Sequence, residues 1–130
     1  MNPQDKKELI KYRLAKARET FTEVDILIEN RLWNTAVNRL YYSCFYAVIA
    51  LLADQEIETL THGGVRQMFG LHFIKTGLID TDSGRFYTRL FDLRQTGDYD
   101  DFIDFDRQKV LELVEPANKL ITQIEVILNK

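Results

Sequence analysis

Apolar residues fall at Ile10, Leu14, Ala17, Phe21, Val24 and Ile28, in steps of four, three, four, three and four. A helix with 3.6 residues per turn puts that series on one side, whereas a strand needs steps of two. The period returns along the chain. Val37, Leu40, Cys44, Ala47 and Leu51 make one stripe, and Tyr41, Phe45, Val48 and Leu52 a second beside it. Val110, Leu113, Ala117, Leu120, Ile124 and Ile127 make another. No alternating segment, internal repeat or low-complexity tract breaks the pattern. The chain is read as all-α.

Capping residues set the expected boundaries. Asn2-Pro3 offers a side-chain cap followed by a proline at the first helical position. The first helix is expected to reach about Asn30, with Asn30-Arg31 as the turn. The second runs from about Trp33 to Ala53 and, being apolar on two adjoining faces, is expected at the centre. After a connection over Glu56–Thr61, Thr61-His62-Gly63-Gly64 opens a short helix. That helix turns Val65, Met68, Phe69, His72 and Phe73 inward and stops at Gly77. Asp80 to Gly84 is expected to be a polar loop. A further helix carries Phe86, Leu90 and Leu93 and ends near Gly97. The last begins near Asp106, whose carboxylate can cap it. Pro116 falls inside that helix, but the stripe keeps its phase, so one kinked helix is expected. The prediction is a single domain over 1–130: an up-and-down antiparallel bundle of four main helices plus one short helix.

Composition narrows the setting. At 130 residues the chain can bury a core without staples. One cysteine, Cys44, excludes an internal disulfide and reads as a core residue of a reduced cytoplasm. The start is charged from Asp5 onward, unlike a signal peptide, and the apolar stretch Tyr41–Ala53 is too short to span a bilayer. No membrane role is expected. The net charge of −3 gives no general attraction to nucleic acid. Lys6, Lys7, Lys11, Arg13, Lys16 and Arg18, against Asp5, Glu8 and Glu19, read as a mixed-charge solvated face, with a local basic face as the alternative.

Polarity concentrates between Leu90 and Asp106. This junction holds Arg94, Gly97, Tyr99 and the aspartates Asp98, Asp100, Asp101, Asp104 and Asp106. It is the expected chemical site. It is not a calcium loop: counted from Asp98, the positions that need glycine and glutamate hold Ile103 and Lys109. His62, His72 and Cys44 do not make a zinc site, and neither metal nor cofactor is expected. Arg94 and Asp98, four apart, can pair across a helix end. Asn38 and Arg39 share one side of the second helix with Tyr42.

Three segments together carry a resemblance. They are Ala36 to Leu52, Thr61 to Phe69 continuing through Phe73 to Gly77, and Leu93-Arg-Gln-Thr-Gly-Asp-Tyr-Asp100. In this order the chain resembles the small stand-alone HEPN proteins (higher eukaryotes and prokaryotes nucleotide-binding domain). The resemblance implies a four- or five-helix bundle, commonly a homodimer. It implies either a metal-independent ribonuclease, often a toxin neutralised by a nucleotidyltransferase encoded beside it, or a non-catalytic module that binds a nucleotide or RNA.

The family's nuclease motif is an arginine followed four to six residues later by a histidine. Arg94 matches the arginine, but no histidine follows it; the place is taken by Asp98, Tyr99 and Asp100. A tyrosine with an ordinary pKa of about 10, or an aspartate near 3.9, is a poor general base at neutral pH. The leading expectation is therefore a homodimeric module that binds a nucleotide, RNA or a nucleotidyltransferase, with Asn38, Arg39, Tyr42, His62, Arg94 and Asp100 as binding candidates. A ribonuclease using Arg94 with Asp98 or Tyr99 is the enzymatic alternative, and a purely structural interaction domain the third. The leading expectation has the Arg94 guanidinium pointing outward into a groove between two copies, beside Tyr99.

Overall fold

The computed structural model describes residues 1–129. Five α-helices follow one another: α1 Pro3–Glu29, α2 Trp33–Asp54, α3 His62–Phe69, α4 Thr81–Tyr99 and α5 Arg107–Leu128. A single π-helical turn, Gly70–Ile74, continues α3. No strand occurs among the described residues. The all-α bundle expected from the apolar period is thus found.

Local chemistry explains the boundaries. The Asn2 side chain accepts from the Asp5 amide, and Pro3 opens α1. The Leu32 amide reaches back to Leu27 O and the Arg31 amide to Ile28 O, with Arg31 in the left-handed region at φ 58. Those two bonds close α1 by a Schellman motif without a glycine. The end of α2 repeats it, with Glu56 at φ 54 and amide bonds from Glu56 to Ala53 O and Ile57 to Leu52 O. Gly77, at φ 82, lies beyond the π-turn as expected of a stop.

Three expectations need correction. Asp80–Gly84 is not a loop. Asp80 caps α4 through the Ser83 amide, so the segment is a cap and a first turn. The short helix does not run evenly to its stop but widens into the π-turn at Gly70. The buried face of α4 is Ser83, Tyr87, Leu90, Phe91 and Arg94, while Phe86 and Leu93 pack at its margin. Pro116, by contrast, lies within one uninterrupted α5, as its unbroken stripe required.

α2 is the core of the molecule. Eleven of its 22 residues are buried, and it packs against α1, α4 and α5. It is long and apolar enough to cross a membrane by length and composition alone, but most of its apolar stretch is buried inside the fold. Burial against α1, α3, α4 and α5 accounts for its apolarity. Basic residues of α1 serve as cross-links. Arg18 donates to Glu125, Asn118 and Thr122 of α5, and Arg13 donates to Ile49 O at 3.0 Å. These bonds leave less of a free basic stripe than the sequence suggests.

Candidate functional site

The packing of α2 against α4 brings Asn38, Arg39, Tyr41 and Tyr42 to the last turns of α4, where Arg94 and Asp98 sit. The first residue of α3, His62, closes the group. Three separate expectations, on α2, α3 and α4, thus meet in one place.

Arg94 does not point outward. Its side chain is 7% exposed, a correction to the groove-facing placement. The reason is the face it occupies: Tyr87, Leu90 and Arg94 are spaced at helical steps, and the first two are fully buried. The guanidinium lies 4.8 Å from the centre of the Tyr41 ring and 5.8 Å from that of Tyr42, within cation–π range. Its Nη1 is 3.5 Å from Asp98 Oδ2. Its Nε is buried without a hydrogen-bond partner.

Asp98 is held from the other side. Asn38 Nδ2 donates to Asp98 Oδ2 at 3.2 Å, with Oδ1 at 3.5 Å. Arg39 lies over the Tyr42 ring at 5.5 Å, with its Nε 3.4 Å from Glu23 Oε2. That Nε too is buried and makes no hydrogen bond. Two guanidinium groups therefore border the Tyr42 ring, each facing a carboxylate at ion-pair distance.

Tyr99 and Asp100 stand apart from this cluster. Tyr99 is 74% exposed, and Asp100 is an exposed residue at the end of α4. Tyr99 is not beside the Arg94 guanidinium as expected, because α4 continues to Tyr99 and carries that phenol round to solvent. The segment beyond is tied down by Asn34 of α2. Its Nδ2 donates to Ile103 O at 2.9 Å, and its Oδ1 accepts from the Phe105 amide at 2.8 Å.

His62 contributes an imidazole. Its Nδ1 is 2.8 Å from the Tyr41 hydroxyl, and its ring lies 4.5 Å from that of Phe45 and 5.6 Å from that of Tyr42. Burial and then the positive charge of Arg94 push its pKa below the usual histidine value, favouring the neutral ring. Burial raises the pKa of Tyr41, against the pull of Arg94, so its phenol stays protonated. His62 also lines a cleft of about 650 Å³ with Phe45, Ile49, Leu52 and Val65. Among the described residues no three His, Cys, Asp or Glu side chains gather closely enough to hold a metal.

Two participants escaped the sequence reading. Tyr41, read there as a core phenol, is the surface on which Arg94 rests and the partner of His62. Asn34 gave no signal beyond its place in the first turn of α2.

Helical architecture and this arginine-centred cluster define the class. The HEPN domain model matches residues 10–127, nearly the whole chain. The chain belongs to the HEPN domain family. It is 35% identical over 124 residues to a UPF0332 protein of Thermotoga maritima, covering 95% of this chain and 94% of that one. It is 35% identical over 125 residues to a Methanocaldococcus jannaschii protein named "Putative toxin MJ0142", covering 96% of this chain and 80% of the relative. A second protein of that organism, "Putative toxin MJ0605", is 38% identical over 96 residues, or 74% and 72% of the two chains.

Proposed function

We propose that this chain is a HEPN module that binds a nucleotide or RNA through phosphate, works as a homodimer in the cytoplasm, and forms one half of a toxin–antitoxin pair with a nucleotidyltransferase. The observation that carries the reading is Arg94: a nearly buried guanidinium on two phenol rings, with an Nε that no group among the described residues satisfies. A buried donor without an acceptor costs free energy that an incoming oxygen recovers. Arg39, paired with Glu23 through its Nε, supplies a second cation to the same ring. Tyr42, half-buried, offers an aromatic surface to a base. The relatives named as toxins support the two-component setting.

Binding of AMP and of a short single-stranded RNA by the wild type and by Arg94→Ala tests this reading. Binding that disappears in the variant supports it; equal binding by both ends it. Sedimentation tests the homodimer, and co-purification with a nucleotidyltransferase encoded beside this chain tests the pair.

One observation favours a second reading, a metal-independent ribonuclease. The imidazole that this chain lacks after Arg94 is present beside the same phenols, brought from α3 as His62. A neutral imidazole can accept the ribose 2′-hydroxyl proton as the oxygen attacks the neighbouring phosphorus; the P–O5′ bond breaks and the imidazolium returns a proton to the departing oxygen, leaving a 2′,3′-cyclic phosphate and a 5′-hydroxyl. A guanidinium stabilises the charge that develops on phosphorus. Cleavage that is lost in both Arg94→Ala and His62→Gln decides for this reading, and equal background cleavage in all three proteins decides against it.

A further inference from the structure

Asp98 is poorly placed for the helix that carries it. It lies in the last turn of α4, which ends at Tyr99 and holds no basic residue there. A carboxylate at that end opposes the helix dipole. The ion pair it makes is also a loose one. Asp98 Oδ2 is 3.5 Å from Arg94 Nη1, and no side-chain hydrogen bond joins the two residues at that length. A well-formed guanidinium–carboxylate pair closes to about 2.8 Å, often with two parallel bonds. Here Nε stays empty. Asn38 meanwhile donates to the same carboxylate from α2 and holds it in position. Asp98 thus occupies the anion's place beside Arg94 without satisfying it.

We infer that Asp98 is a specificity-determining residue: its carboxylate, held by Asn38, stands in for a ligand's phosphate, so that the site takes a terminal phosphate group in exchange for Asp98 and refuses the middle of a phosphodiester chain. This inference rests on Arg94 being an anion site.

Charge and access both point to an end group. A phosphate monoester brings a charge of about −1.5 to −2 at pH 7 and three free oxygens. It can outbid one carboxylate at Nη1. An internal diester brings one charge and two free oxygens, and its chain continues on both sides. A guanidinium whose side chain is only 7% exposed offers little surface to a through-running strand, and an end group needs less of it. The acidic run beyond it, Asp100, Asp101 and Asp104, repels the remaining phosphates of such a strand.

The test uses a 3′-labelled single-stranded oligoribonucleotide carrying a 5′-phosphate, and its 5′-hydroxyl twin, with binding followed by fluorescence anisotropy. Wild type is expected to bind the phosphorylated strand about tenfold more tightly, a difference of one decade in Kd. Asp98→Asn is expected to bind the phosphorylated strand more tightly still, by about another decade, although it lowers the melting temperature by removing the counter-charge of Arg94. A residue that only holds helices together changes the melting temperature and leaves Kd alone. Arg94→Lys, which keeps the charge without the planar fork, is expected to remain folded and lose the preference for the phosphorylated end. AMP as a competitor tells a mononucleotide from an RNA end as the source of the phosphate.

Equal affinity for the two strands, or an unchanged Kd in Asp98→Asn, overturns the inference while Arg94-dependent binding leaves the anion site standing. Absence of binding in wild type and Asp98→Asn alike, or binding indifferent to Arg94, removes the anion site itself and the inference with it.

Discussion

The hydroxyl of Tyr41 lies 2.8 Å from Nδ1 of His62, joining the centre of α2 to the first residue of α3. This bond gives the molecule an acid-sensitive point. Burial and Arg94 lower the pKa of His62 in the folded state below its reference value of 6.5. The unfolded chain therefore binds the proton more readily. The His62 contribution to stability is complete above pH 6.5 and declines as pH falls from there toward the lowered folded value. Denaturation midpoints measured from pH 8 to pH 5 should fall on the acid side in wild type, and less so in His62→Gln.

Asp80 works in the opposite range. Its carboxylate accepts from the Ser83 amide and hydroxyl and from Gln123 Nε2 of α5. The Gln123 bond foremost, with those from Ser83, holds its pKa down to about 2 against a reference of 3.8. Its stabilising effect is present above 3.8 and disappears as pH drops toward 2. Asp80→Ala should cost about 1 kcal/mol at pH 7, the usual loss of a helix cap, with the difference from wild type vanishing near pH 2. Urea denaturation at the two pH values reads this directly.

Phe102 should be improvable. Its side chain is fully exposed, and its backbone sits in the left-handed region at φ 64. A side chain pays about 1 kcal/mol or more to stay there, and this one gains no burial in return. Phe102→Gly relieves the strain but gives the unfolded chain extra freedom, so a net gain of up to about 1 kcal/mol is expected in chemical denaturation.

Gly97 has the reverse character. A Cβ at that position meets the Phe105 ring at 2.7 Å. Alanine is the better helix former by about 1 kcal/mol, but displacing a ring packed against the core costs about 1–3 kcal/mol. Phe105 cannot retreat easily, because its own amide is bonded to Asn34. Gly97→Ala is expected to destabilise, and a lowered urea midpoint with an unchanged slope is the observation that checks it.

Tyr87 carries a buried hydroxyl with no hydrogen-bond partner, and burial above all keeps that phenol protonated. Removing the oxygen removes an unsatisfied group while keeping the ring that packs on Tyr41 and Phe69. Tyr87→Phe should be neutral or stabilising by up to about 1 kcal/mol, by the same measurement.

Much of the bundle was legible because apolar spacing fixes which face of each helix is covered. Pro116 shows the strength of that signal: the six aliphatic or small residues of its stripe keep their phase, and the helix follows them through the ring. The Asp80 segment was misread because its polar residues look alike as a loop and as a cap; Ser83, buried against Gln123, tips the balance through a contact forty residues away. Arg94 is the expected chemical centre, and its direction differs from the expectation. A charge at a stripe position is ordinarily assigned to solvent, and the aromatic seat that reverses this comes from Tyr41 and Tyr42 on another helix. Spacing also had no means of carrying His62 from α3 to the same rings.

The Asn34 clasp has a mechanical consequence. One amide group fastens the strap between α4 and α5 by both of its polar atoms, and it stands a single turn before Asn38 and Arg39 on the same rigid rod. Anything that tugs on the acidic strap therefore pulls on the rod beneath the two arginines.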